Sequence, residues 1–184
     1  MTIISANRAR LSLLCLAWAL SASGLSGCAV LLGNVKTVDQ HSKSYRVARL
    51  NETQADWKML EPSGDATSDS SEITYQSNRT ASIISLNSTC RKRNTEEDLK
   101  RISRLLFLGI TDVTETQERD LTVDSAPALE TTVTGRLNRE RVKIRAVVLR
   151  NAACVFDLMY VAKPKHFASQ EADFTQFVSS LRLK

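Results

Sequence analysis

The chain has 184 residues, 25 basic and 20 acidic, for a formal net charge of +5, and 42% of it is hydrophobic. That is enough for one domain with a real core and hardly enough for two. The charge is too mild for a nucleic-acid binder, whose footprint is a strongly basic surface. With two histidines, no Cys-x-x-Cys and no phosphate-cradling Gly-rich loop, the sequence offers no cofactor motif and no metal cluster.

In chain order, the first 27 residues carry Arg8 and Arg10 as their only charges, then the apolar run Leu11 to Leu20, then Ser21-Ala22-Ser23-Gly24. A basic start, an apolar core and small residues before a cut site mark a secretory leader. The apolar run falls short of the roughly 20 residues a membrane span needs. The next residues, Leu25-Ser26-Gly27-Cys28, resemble a bacterial lipobox. That resemblance implies diacylglycerol on the Cys28 thiol, cleavage just before Cys28, and acylation of the freed amine. Durable anchoring needs more than one chain, since a single acyl chain binds only marginally. Ala29, where retention at the inner membrane typically involves Asp, resembles the class sorted to the outer membrane, here facing the periplasm. The competing reading is a secreted protein with Cys28 free or paired. Loss of the leader leaves 184 − 27 = 157 residues and a charge of 23 − 20 = +3.

Residues 28–44 read as the lipidated end and a tether, and residues 45–184 as a single domain. Tyr45 to Leu50 reads as a short strand, and Asp56 to Leu60 as another strand or one helical turn. Pro62 to Ser71 is a polar, turn-rich loop. Ile73–Gln76 and Ala81–Thr89 form a hairpin turning at Ser77-Asn78-Arg79. A helix follows, capped by Asn94 or Thr95, with Glu96, Glu97 and Asp98 in its first turn, a stripe of Leu99, Ile102, Leu105 and Leu106, and Gly109 as its stop. Thr111 to Val123 is a polar β-rich stretch, either an extended pair or one long strand with a break.

Leu129–Leu137 and Arg141–Leu149 make the clearest hairpin, turning at Asn138-Arg139. That turn sets Gly135, Val133 and Thr131 opposite Val142, Ile144 and Ala146. It sets Arg136, Thr134 and Thr132 opposite Arg141, Lys143 and Arg145. One face is apolar and the other polar, the pattern of a half-buried antiparallel pair. Cys154 to Ala162 is a further strand ended by Pro164. Phe174, Phe177, Val178 and Leu181 mark a final amphipathic helix that docks on the sheet. The expected fold is α+β: an antiparallel sheet of about six strands with one mid-chain and one C-terminal helix packed on it.

Cys15 leaves with the leader and Cys28 is acylated, which leaves Cys90 and Cys154. An even pair in an oxidising compartment reads as a disulfide. With the two cysteines 154 − 90 = 64 positions apart, the closed loop is worth roughly 4 kcal/mol in the chain-entropy model.

The order of a lone Trp57, a polar loop, a hairpin ending in Cys90, a helix, a three-strand meander with Cys154-Val155-Phe156-Asp157 and a terminal Phe-x-x-Phe-Val helix is similar to PsbP/Mog1-like proteins. The likeness covers roughly residues 45–184. It implies that fold and a non-catalytic character, and no family functional residue can be matched onto this chain.

Candidate chemistry is sparse. His41 falls in the tether and His166 near the start of the last helix, neither placed like a general base. Asp157 sits in an apolar strand, alternating with Val155 and Met159, and would face the core as a tuned acid; the preferred reading is pairing or exposure at a sheet margin. Two basic clusters stand out. One is Arg91-Lys92-Arg93 continuing to Lys100, Arg101 and Arg104. The other is the strand row Arg141, Lys143 and Arg145, with Tyr160 as an aromatic face for a cation. These would meet an anionic envelope component or an acidic protein, against the plainer reading of a solvated face balanced by acids such as Glu130. Sequons at Asn51, Asn78 and Asn87 matter only in a eukaryotic secretory pathway. The leading expectation is a membrane-tethered, non-enzymatic binding or structural module without a cofactor. The alternatives are an envelope hydrolase using Asp157 and an apolar-ligand carrier with a dry cavity between sheet and helix.

Overall fold

The computed structural model describes residues 45–50, 56–60, 70–90, 98–151 and 154–184, with backbone alone for Ser70, Ser71 and Glu72. The described elements run β1 (Tyr45–Arg46), β2 (Trp57–Leu60), β3 (Ser70–Ser77), β4 (Ile83–Cys90), α1 (Leu99–Leu106), β5 (Thr111–Val123), β6 (Ala126–Leu137), β7 (Glu140–Asn151), β8 (Cys154–Ala162), α2 (Pro164–Ser180) and β9 (Arg182–Leu183). Seven strands form one antiparallel sheet in the order β2-β3-β4-β8-β7-β6-β5, and β1 and β9 form a separate two-stranded ribbon. The expected α+β class holds, with one more strand in the sheet than expected. Short β2 joins as an edge because Trp57 opposite Ser77 and Met59 opposite Tyr75 give it a core-facing side.

The β6–β7 hairpin has the register its alternation demands, with Gly135 opposite Val142, Val133 opposite Ile144, and Thr132 opposite Arg145. Asn138 and Arg139 hold φ of 50° and 72° at its turn. Two successive positive φ values give the primed turn whose twist matches that of the strands. β5 is one strand whose register shifts between Thr111 and Glu115, so the expected break is a bulge.

Side chains alternate across the sheet. One face carries Tyr75, Ile84, Leu86, Val147, Leu149, Phe156, Leu158 and Tyr160, each no more than 1% exposed. α2 lies over it. Pro164 at the first helical turn has a preset φ that suits that position, and Phe167, Phe174, Phe177 and Val178 recur at helical spacing as buried residues. Tyr75 meets Phe177 edge-on at 5.9 Å, and Tyr160 stacks on Phe174 at 5.8 Å. Burying each such side chain contributes about 1.5–3 kcal/mol, so this layer is the main source of stability.

The opposite face presents buried Leu129, Val133, Ile144, Ala146 and Val148. α1 covers part of it through Ile102 and Ser103, whose hydroxyl lies 2.8 Å from that of Thr131. Here the sequence reading needs correction. Asp98, rather than Asn94 or Thr95, caps the helix by accepting a hydrogen bond from the Lys100 amide at 3.1 Å. Leu105 is 54% exposed, so the expected apolar stripe does not face the sheet as a whole.

The first strand is also shorter than expected, Tyr45–Arg46 in place of Tyr45–Leu50, because its partner β9 is only two residues long. Nor is the polar face of the β6–β7 hairpin open to water away from its turn: Thr134 and Arg145 on it are 7% and 9% exposed.

Candidate functional site

Of the sequence row Arg141, Lys143, Arg145 with Tyr160, Lys143 and Arg145 line a groove between α2 and the β5–β6–β7 part of the sheet. The groove has a volume of about 1510 Å³ and is flanked by Phe167, Ala168, Glu171, Ala172 and Thr175 of α2. Alternation along β7 sends Lys143 and Arg145 to this side, and α2 then closes over them. Arg145 directs Nη2 and Nε at Glu130 Oε2 at 2.7 and 2.8 Å, and Nη1 at Glu171 Oε1 at 3.3 Å and Thr175 Oγ1 at 3.0 Å. Glu130 also accepts from Arg119 at 2.8 Å. Lys143 reaches Glu115 at 3.4 Å, and Glu115 accepts from the Thr134 hydroxyl at 3.1 Å.

The row therefore is not a free cationic surface. Charged lining residues of the groove are Glu118, Glu130 and Glu171 against Arg119, Lys143 and Arg145, three of each sign. Arg119 and Arg145 are bonded to Glu130, Arg145 also to Glu171, and Lys143 to Glu115, so the cations have little field left with which to attract an anion.

Tyr160 is not the cation platform either. It is fully buried, and its hydroxyl donates to the Phe167 carbonyl at 2.8 Å. Burial pushes its pKa up to about 12. The aromatic faces belong to α2: the Lys143 ammonium lies 5.1 Å from the Phe167 ring centre and the Arg145 guanidinium 5.4 Å from that of Phe174. Of the predicted row, Arg141 alone remains exposed.

A second polar cluster, which the sequence did not single out, ties α2 to the β3–β4 turn. Asp56 accepts from Arg79 Nη2 at 2.8 Å, from the Arg79 amide and the Ser77 hydroxyl at 3.2 Å each, and from the buried Gln170 amide. The Arg79 side chain first, with the Arg79 amide and the Ser77 hydroxyl, holds the Asp56 carboxyl below the usual carboxylate range. Trp57 Nε1 donates to Asp173 at 2.9 Å, a further strut from β2 to α2. Ser77, Thr80 and Ser82 share hydroxyl contacts of 2.7 and 2.9 Å. The cluster satisfies buried polar atoms, and its members are already engaged with one another.

Asp157 falls on the sheet face away from α2 and accepts from Asn87 Nδ2 at 2.8 Å, so the core-facing placement is corrected. His166 rides on α2 over the other face, and the two do not come together. The space between α2 and the sheet is filled by Phe156, Leu158, Tyr160, Phe174 and Phe177, each at most 1% exposed. The concavity beside that layer is lined by ion pairs, which does not suit an apolar ligand.

Cys90 and Cys154 sit opposite each other on β4 and β8 and form a disulfide. Among the described residues there is no group of three or more metal-ligating side chains, and no helix long and apolar enough to cross a membrane. Cys28, His41, Asn51 and Arg91-Lys92-Arg93 lie outside the described residues.

The described surface has a different distinction. Its exposed large apolar side chains are Leu105 (54%), Leu108 (73%), Val113 (52%) and Leu137 (36%), and the topology brings them to one corner. A Cβ on Gly135 would meet Ile110 Cγ2 at 2.6 Å, the Thr111 carbonyl oxygen at 2.8 Å and Val113 Cα at 3.6 Å, so the chain leaving α1 lies directly on β6 there. Leu137 shares the Gly135 face two residues on, and Leu105 and Leu108 flank the end of α1 that leads into Ile110. Arg104 next to Leu105 and Arg139 two residues after Leu137 are exposed, while Arg136 and Arg141 fall on the other face of the hairpin. The signal in the sequence was Leu-Phe-Leu after the helix stripe, which helical periodicity alone assigns to the core.

No protein-family model and no curated protein sequence matches the chain. Solved structures do resemble it. The cyanobacterial PsbP protein (CyanoP) of Synechocystis aligns with a TM-score of 0.52 at 12% identity, over 76% of this chain and 86% of that one. LpqN of Mycobacterium tuberculosis, involved in cell envelope biogenesis, aligns at 0.48 and 11% identity, over 80% and 87% of the two chains. A Pseudomonas aeruginosa protein of unknown function aligns at 0.49 and 12%, over 68% and 95%. The described domain has the PsbP-like α+β fold. At these identities the likeness is one of architecture.

Proposed function

We propose that the chain is a bacterial envelope lipoprotein, acylated at Cys28 and held at the outer membrane facing the periplasm, whose PsbP-like domain is a non-catalytic module that docks a protein partner. The anchor is supported by Leu25-Ser26-Gly27-Cys28 behind a leader core, and by Ala29. The Cys90–Cys154 bond fits an oxidising compartment. The docking reading is carried by one observation, the exposure of Leu105, Leu108, Val113 and Leu137 where the chain leaving α1 lies on β6, with Arg104 and Arg139 beside them in sequence. Protein interfaces combine an apolar centre with arginine in this way, and a few central side chains hold most of the binding energy. The groove, by contrast, has its cations bonded to carboxylates.

A photo-reactive residue at position 108, placed in cells, should give a discrete adduct with one protein, and the same residue at Ser179 beside the groove should not. Adding Val113→Asp should abolish the adduct. Equal labelling from both positions, or an adduct indifferent to Val113→Asp, removes the docking reading. Mass spectrometry of the purified protein tests the anchor separately: a bare Cys28 sulfur or an uncut leader ends it.

A further inference from the structure

The seven-stranded sheet has two unlike edges: β2 is four residues long and β5 is thirteen. A short edge offers little to pair with, whereas a long one presents a row of backbone N–H and C=O groups to any strand that comes beside it. Among the described residues, β5 pairs with β6 and with no other strand. It holds no proline or lysine, and all its side chains except Glu115, Leu121 and Val123 are exposed. A register shift between Thr111 and Glu115 leaves the stretch from Glu115 to Val123 regular. Charged side chains commonly keep such edges apart, so the order of charges along β5 decides what it accepts.

Two copies of one strand pair antiparallel about a two-fold axis. Residues directly opposite each other turn their amides both toward the partner strand or both away from it. Amides alternate along a strand, so the axis has to pass through a residue and not between two. Axes at residues 115 to 119 pair nine or more of the thirteen positions. Those at Glu115, Glu118 and Arg119 set a charge against itself, and the one at Thr116 sets Asp120 against Asp112. The axis at Gln117 alone sets no like charges opposite each other, and it is the midpoint of the strand, so all thirteen residues overlap. It puts Arg119 of each copy opposite Glu115 of the other, inside the regular stretch.

Neither side chain has to give up what it holds. Arg119 spends Nη2 on Glu130 at 2.8 Å, and its side chain is 65% exposed. Glu115 accepts from Thr134 and Lys143 on Oε2 and from Gln117 on Oε1, at 38% exposure. A carboxylate has about four lone-pair sites and a guanidinium five N–H donors, so both retain capacity for a partner.

We infer that β5 is a self-recognition edge: two copies of the chain pair β5 to β5 about Gln117 and join their sheets into one. The backbone ladder supplies affinity, and the two Glu115–Arg119 contacts select the register. The axis stands perpendicular to the joined sheet, so α2 lies on the same side in both copies. The two grooves, each lined by Gln117 and Arg119, then meet at the axis. This goes beyond the docking reading, and neither that reading nor the anchor is needed for it.

The test is sedimentation equilibrium of residues 28–184, with Cys28→Ser so that no acyl chain draws copies together. A monomer–dimer equilibrium is expected below millimolar concentration. Arg119→Glu alone and Glu115→Arg alone should each weaken the dimer about 30-fold, since each turns two cross-strand contacts of opposite charge into like ones. An equimolar mixture of the two variants should dimerise as the parent does, because opposite charges then meet at both contacts. Circular dichroism checks that each variant is folded. Gln117→Cys, a milder change at an exposed position, should link to itself through a disulfide under mild oxidation, while Thr116→Cys and Glu118→Cys should not. A chain that stays monomeric, a dimer indifferent to both charge variants, or a mixture no tighter than its parts overturns the inference. So does linkage from Thr116→Cys as ready as that from Gln117→Cys.

Discussion

α2 spans two unlike halves of one sheet face. Over β4 and β8 it lays Phe174 and Phe177 on Phe156, Leu158 and Tyr160, and nothing there is more than 1% exposed. Over β6 and β7 its flank meets Arg145, whose side chain is 11% exposed and held by Glu130 at 9%. The first half is stabilised by area removed from water and tolerates changes of shape within limits. The second is a bonded network that gains little over an apolar filling but is damaged badly when one member is lost. A helix docked this way has its position fixed by the aromatic half, while the charged half sets the width of the groove beside it.

The contrast can be broken at Phe174. Phe174→Ala should lower unfolding free energy by about 4 kcal/mol in urea titrations, through lost burial and the cavity left against Tyr160. Next comes Glu130→Gln, expected to lose about 3 kcal/mol because Arg145 stays buried without its carboxylate. The sharper comparison is the double replacement Glu130→Leu with Arg145→Met. It should recover most of that loss, as an apolar pair of similar volume can replace a buried ion pair. If the double variant is as unstable as Glu130→Gln, the two halves do not differ in kind, and the network is holding the fold rather than shaping a groove.

Much of the architecture was legible because it is local. The register of the β6–β7 hairpin follows from alternation and a two-residue turn, and both are read within 20 or so positions. The Cys90–Cys154 pairing followed from elimination among few cysteines. What covers a face was not legible. Alternation placed Lys143 and Arg145 on a polar side, but their partners Glu115, Glu130 and Glu171 lie on β5, β6 and α2, 28, 15 and 26 positions away. Tyr160 shares that side, and only the descent of α2 turns it from a surface ring into a core one. For α1, helical spacing proposed a buried stripe of leucines. The short helix and its exit over Gly135 leave Leu105 and Leu108 outside instead, and that corner became the candidate docking surface. β9 was missed because two residues carry no periodic signal.

The smallest expected effect lies at the Asp56 latch, which holds α2 to the β3–β4 turn through Gln170. The carboxylate's folded-state pKa lies below its unfolded value, chiefly through the Arg79 hydrogen bond. Its contribution is thus present above the unfolded value, roughly pH 4, and is lost as pH falls through the folded one. Arg79 is 71% exposed, so the ion pair itself is weak, and the amide and Ser77 bonds supply the rest. Asp56→Asn should cost about 1 kcal/mol at neutral pH and flatten the decline of Tm on acidification. A variant that falls as steeply with acid as the parent would show that other carboxylates carry the pH dependence. The latch would then be a geometric tie that leaves the anchoring of α2 to its phenylalanines.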